Sequence, residues 1–158
     1  MAQLLFTHTK KPLSRLICWG LREPVSHVAL KTGDFVFHST GHGISVWTEA
    51  RFRREYAVAL EVTNPNQVIS GTAISAFDGK QYDTRGLMFL AVRGAAHRFF
   101  RWPMPKTNQW ARNGYYMCTE FVTALLEGQE RSSVTPYQLY LDYAARPGWT
   151  AANPSEGV

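Results

Sequence analysis

Cys118, His27 and His38 are the side chains in this chain best suited to carry a reaction. A thiol becomes a nucleophile when a helix N-terminus favours its anion and an imidazole takes its proton. Asn113-Gly114 reads as a turn and the chain turns helical from Tyr115, which sets Cys118 within the first turn or so of that helix. The imidazoles belong to a hairpin, 26–38, in which two alternating apolar runs flank Thr32-Gly33. A two-residue Thr32-Gly33 turn sets Lys31 opposite Asp34, Leu30 opposite Phe35 and His27 opposite His38. Directly opposed residues share a face, with Cβ atoms about 5 Å apart. One face then carries Val28, Leu30, Phe35 and Phe37 as core, and the other His27, Ala29, Val36 and His38. A three-residue loop would put the two histidines on opposite faces instead.

The elements around these residues follow from periodicity and punctuation. Gln3 to Phe6 reads as an edge strand, and Lys11-Pro12 opens a helix with Leu13, Leu16, Ile17 and Leu21 on one side, ended by Glu23-Pro24. Residues 39–43 read as a loop, 44–47 as a strand, 51–55 as a polar connection and 56–62 as a further strand. Helices are expected over 67–77 and 86–92, and an aromatic, proline-broken excursion over 94–113. The Cys118 helix buries Met117, Phe121, Val122, Leu125 and Leu126 and is capped by Gly128. Thr135-Pro136 starts a last helix to about Ala145, and 146–158 is a polar tail.

Composition bounds the possibilities. At 158 residues, 45% hydrophobic and 18% charged, the chain suits one α+β domain, 1–158, with a small antiparallel sheet packed on the Cys118 helix. No apolar run approaches the roughly 20 residues of a membrane span. No charged leader precedes a long apolar run near the N-terminus, so the expected location is cytoplasmic. Two cysteines, Cys18 and Cys118, read as reduced thiols. The net charge of +5 is partly clustered, with Arg93, Arg98, Arg101, Lys106 and Arg112 in a stretch lacking acids. Region 93–112 is therefore a candidate contact for an anionic partner: nucleic acid, anionic lipid or an acidic protein.

Ser26-His27-Val28-Ala29-Leu30, followed much later by Cys118-Thr119-Glu120-Phe121-Val122, resembles the circularly permuted papain-like proteins of the NlpC/P60 superfamily. That group includes the YiiX/YaeF-like proteins and the lecithin:retinol acyltransferase-like enzymes. Leu16 to Leu21, Gly79-Lys80-Gln81-Tyr82-Asp83 and Thr135-Pro136-Tyr137-Gln138-Leu139 are similar to further segments of it, in the same order, over roughly 12–143. The resemblance implies a cysteine hydrolase (amidase- or peptidase-like) or an acyltransferase, working through a covalent acyl-enzyme. Cys118 would be the nucleophile, His27 the general base and then acid, and His38 the residue that orients His27. Backbone N–H groups at the helix start would meet the oxyanion. Peptide, acyl or cell-wall-derived compounds are the implied substrates, with no cofactor and no metal. Thr119 stands where the family usually has serine.

Other readings of the same residues stay open. Cys18 could be the nucleophile, though it lies mid-helix; Glu49 or Glu61 could replace His38 as the orienting group. His27, His38 and Cys118 could hold zinc, while His38 and His42 are separated by loop residues rather than a helical turn. Tyr82 is a candidate for the substrate pocket, and Glu120 reads as a helix-start charge. A different class of function, a catalytically silent binding or virion-assembly module, would use region 93–112 as its contact surface.

Overall fold

The computed structural model describes residues 1–10, 12–103, 109–110 and 115–152. The elements run β1 (Ala2–His8), α1 (Pro12–Leu21), β2 (His27–Thr32), β3 (Phe35–Thr40), β4 (Gly43–Thr48), α2 (Glu49–Glu55), β5 (Ala57–Asn64) and α3 (Gly71–Ser75). They continue with β6 (Gln81–Tyr82), α4 (Thr84–Phe100), β7 (Tyr115–Tyr116), α5 (Cys118–Glu127), α6 (Pro136–Ala144) and β8 (Thr150–Ala152). Six strands form an antiparallel sheet in the order β4-β3-β2-β1-β5-β8, and β6 and β7 pair in parallel beside it. The fold is α+β, as the sequence implies.

Both sheet faces are covered. Leu4, Phe6, Val28, Leu30 and Val62 point to one side and pack on Phe121 and Val122 of α5 and Leu139 and Tyr143 of α6. Leu5, Ala29 and Val36 point to the other and pack on Phe52 of α2. The run Leu4-Leu5-Phe6 is buried without a gap. That is the pattern of a strand covered on two faces, and β1 accordingly lies inside the sheet between β2 and β5, not at its edge.

The hairpin differs from the expected register in an instructive way. Leu30 faces Phe37, Lys31 faces Val36 and Thr32 faces Phe35, so the turn is Gly33-Asp34. Gly33 has φ 57° at the first turn position. Both favoured two-residue hairpin turns need a positive φ there, which glycine accepts and β-branched Thr32 resists. Moving the turn by one residue moves the pairing by two. His38 therefore falls level with Ala29, diagonal to His27 rather than opposite it, and the two imidazoles keep a common face.

Several other boundaries shift for local reasons. Residues 49–55 are helical because Thr48 accepts the Arg51 N–H, Glu49 pairs with Arg53, and Phe52 anchors the helix to the sheet. The expected helix over 67–77 shrinks to α3: Asn64 accepts the N–H groups of Asn66 and Gln67, and Ser70 caps only the turn that follows. Helix α4 runs well past Val92, from its Asp83 cap to Arg101. Gly94 does not break it but lets it approach α1, where an added Cβ would sit 2.6 Å from Leu21 Cδ2. Residues 150–152 of the expected polar tail join the sheet as β8. The rest of that tail, 153–158, and parts of the 94–113 excursion, 104–108 and 111–114, lie outside the described residues.

Because α5 joins the sheet through Phe121, which is fully buried against β1 and β2, Phe121→Ala should destabilise the fold by about 3–5 kcal/mol in urea unfolding. A loss below about 1 kcal/mol would show that this helix is not seated as described.

Candidate functional site

Cys118 is the first residue of α5, preceded by Met117, whose N–H donates to Glu120 Oε2 at 2.8 Å. Two anchors bring this helix start to the sheet. Tyr116 sits in β7 against Tyr82, and its carbonyl accepts the Ser39 hydroxyl from β3 at 2.9 Å. The Val28 N–H reaches the Cys118 sulfur, so the thiol lies at the head of β2, beside the peptide that joins His27 to Val28. Helix α5 packs on the sheet face that carries Val28 and Leu30, while the imidazoles point to the other face. Thiol and imidazoles can meet only around the end of β2, where His27 is the first strand residue.

His27 and His38 are 5.6 Å apart between ring centroids, edge to face, and no hydrogen bond joins them. His38 is fully buried in a box of Trp47, Phe52 and Tyr56, with ring centroids at 4.6, 5.1 and 5.4 Å, and neither of its nitrogens has a partner. His27 stacks on Tyr56 at 5.4 Å, and its Nε2 is also buried without a partner. So is the hydroxyl of Thr7, which lies directly opposite His27 on β1. Burial, with some repulsion from His38, lowers the His27 pKa to about 3; burial and Arg51 lower that of His38 to about 4. Both rings are neutral at ordinary pH.

The thiol is pushed the opposite way. The N–H groups of Val28, Thr119 and Cys118 itself favour a thiolate, as a helix start should, but burial outweighs them and Glu120 adds repulsion. The Cys118 pKa rises to about 11. A ready-made thiolate, the expectation from helix position alone, is thus overturned by desolvation. Glu120 is more than a helix-start charge: burial, Asp83 and Glu130 raise its pKa to about 7.

A cleft of about 360 Å³ opens beside these groups. His27, Tyr56 and Tyr82 line it together with Leu87 and Met88 of α4. Cys118 lines a neighbouring void of about 10 Å³, room for a single water, and Ile17, Ser26, Leu87 and Ala91 form the wall common to both spaces. Ser26 is fixed by Ser14, 2.6 Å away, and its N–H donates to the Thr7 carbonyl. Among the described residues no hydrogen bond joins the Cys118 sulfur to either imidazole. Tyr82, singled out in the sequence, does reach the cleft, where burial, Cys118 and Tyr56 drive its pKa upward.

Tyr56 was not foreseen. Its only sequence signal is its place at the head of an alternating strand, yet it stacks on His27 and contacts His38 and Trp47. The rival residues are accounted for elsewhere. Glu61 is held by Arg53 and Gln3, and Glu49 by Lys31 and Arg53, so neither orients His27. Cys18 lies inside α1. No cluster of three His, Cys, Asp or Glu side chains suited to a metal is found among the described residues. No described helix is long and apolar enough to cross a membrane. No family model matches this chain, and no curated protein matches it.

The depressed histidine pKa values fix a pH dependence. An unfolded histidine binds its proton near 6.5, whereas the folded ones resist until about 4 and 3. Their contribution is complete above pH 6.5 and is lost as the pH falls through that window. His38→Phe, which leaves the aromatic box filled, should make the fall in urea stability between pH 6 and 4 shallower by up to about 1.4 kcal/mol per pH unit. An unchanged slope would show that His38 is not held neutral by the fold.

Proposed function

We propose that this protein is a cysteine-nucleophile hydrolase or acyltransferase, a permuted papain-like domain related to the NlpC/P60 superfamily, acting on amides, esters or thioesters. The observation that carries the reading is the seat of Cys118: first in its helix, with its sulfur on the backbone at the head of the strand that begins with His27. The cleft beside it, lined by His27, Tyr56 and Tyr82, supplies room for a peptide or acyl group. The resemblance of residues 26–30 and 118–122 to that superfamily points to the same pair.

In this mechanism the resting pair is neutral thiol and neutral imidazole, consistent with pKa values of about 11 and 3. To reach the sulfur the substrate displaces the wall of Ile17, Ser26, Leu87 and Ala91 that the cleft shares with the space at Cys118. As the Cys118 sulfur attacks the carbonyl carbon, its proton passes to His27, and the new oxyanion accepts hydrogen bonds from N–H groups of the first α5 turn. Collapse breaks the bond to the amine, alcohol or thiol, which leaves with the proton from the imidazolium. Water or a second acceptor, deprotonated by His27, then attacks the thioester and frees the thiol. His38 and Tyr56 frame the His27 ring by contact, edge-on and stacked, in place of a hydrogen-bonding third residue.

The test is acylation by an activated ester or thioester, followed by intact mass and peptide mapping. The adduct should sit on Cys118, and Cys118→Ala and His27→Ala should each slow turnover by about 10³-fold or more. Cys18→Ser should leave the rate unchanged. Simple alkylation of Cys118 should climb steadily with pH toward about 11 and show no plateau at mildly acidic pH. An adduct on Cys18, or turnover that survives Cys118→Ala, would sink the reading.

A further inference from the structure

The paired helices α1 and α4 carry a surface that the catalytic reading does not use. Their contact is close, with Gly94 against Leu21, and Arg98 bridges them by donating to the Trp19 carbonyl at 2.7 Å while lying over the Trp19 ring. Yet the outward side of this pair is apolar. Leu16 and Trp19 lie three residues apart on α1; Met88, Val92 and Phe99 form one stripe along α4; all five are exposed. Phe100, the last residue of α4, and Trp102 beyond it extend the patch, Phe100 with 71% of its surface in water. Helix α4 buries Phe89 and Leu90 on its inner side, so it carries apolar side chains on its outward stripe as well as toward the core.

Charge is segregated along the sequence in the same sense. Residues 1–22 and 84–119, which include both helices, hold ten of the 17 Lys and Arg and none of the 12 Asp and Glu. The remaining sequence therefore carries more acids than bases. Arg15, Arg85 and Arg101 are exposed, and Arg85 continues the Met88–Val92–Phe99 stripe. Exposed aromatics and aliphatics interspersed with exposed arginines, on two helices whose own residues include no Asp or Glu, are what an anionic bilayer surface attracts: the charges meet the headgroups and the side chains enter the acyl boundary. Nucleic acid would use the arginines and the rings, but the aliphatic Leu16, Met88 and Val92 offer nothing to a phosphate or a base edge.

We infer that the α1–α4 face docks on anionic lipid membranes through Leu16, Trp19, Met88, Val92, Phe99 and Phe100 and the surrounding arginines. Leu16 and Met88 also line the cleft that contains His27, so docking sets the mouth of that cleft at the bilayer. The inference stands whether or not Cys118 is catalytic, because binding is read without turnover.

Flotation with vesicles tests it. The full chain should bind vesicles of phosphatidylcholine with about a third phosphatidylglycerol, bind pure phosphatidylcholine far less, and come off at about 0.5 M salt. Phe99→Ser with Phe100→Ser, and separately Arg85→Glu with Arg101→Glu, should each weaken binding by about tenfold or more. Thermal unfolding verifies that the variants fold, and the charge pair, which removes no packing, decides the matter if the aromatic pair does not. Phe35→Ser on the distant hairpin should bind as the unaltered chain does. The inference falls if the unaltered chain ignores anionic vesicles, if both variant pairs bind undiminished, or if the same residues support only oligonucleotide binding or self-association.

Discussion

The seating of the α5 N-terminus against the head of β2 is the constraint from which the rest of this site follows. Phe121 and Val122 bury against Leu4, Phe6, Val28 and Leu30, and that apolar contact fixes the helix axis on the sheet. The Ser39 hydroxyl on the Tyr116 carbonyl and the parallel pairing of Tyr82 with Tyr116 then fix where the helix begins. Only with both in place does the Cys118 sulfur meet the Val28 N–H. Hydrophobic burial provides the stability; a few directional bonds provide the register.

That seating has an electrostatic consequence. The burial that secures α5 removes solvent from Cys118, and on the other sheet face the packing of Trp47, Phe52 and Tyr56 removes it from His38 and part of His27, so each favours its neutral form. The thiol moves up, the imidazoles move down, and the partial charge of the helix start does not reverse this. The aromatic box around His38 strengthens the effect, since Trp47, Phe52 and Tyr56 give its nitrogens no partner. In the proposed chemistry charge then develops only along the reaction path, where the N–H groups of α5 await it. Glu120, also buried at this helix start, is pushed toward neutrality by the same loss of solvent.

Much of this architecture was legible in the residues. The alternation over 26–38 assigned residues to the two faces of the hairpin correctly, and that survived the misplaced turn, although Phe35, expected in the core, is exposed beside the turn. A two-residue slip in pairing preserves face parity, while a one-residue slip would have reversed it. The positive φ demanded at the first turn position was the signal that distinguishes Gly33-Asp34 from Thr32-Gly33. Capping rules located α1 and α6 well, because proline and threonine act through their immediate neighbours. They located α3 and α4 poorly. There Asn64 and Ser70 compete for the backbone, and Gly94 serves helix packing instead of helix termination.

By itself the sequence determined the residue types, the period of each element and the presence of a thiol near a helix start with two imidazoles on one strand face. These depend on neighbours one to four residues away, which the chain displays directly. The tertiary structure alone decided that α5 covers the face opposite the imidazoles, that Tyr56 stacks on His27, and that Cys118 is a high-pKa thiol. Each of these rests on groups brought together from distant positions, as Ser39 and Tyr116 are across a separation of 77 residues. Burial is a property of that assembled whole, so its effect on a pKa cannot be read from local spacing.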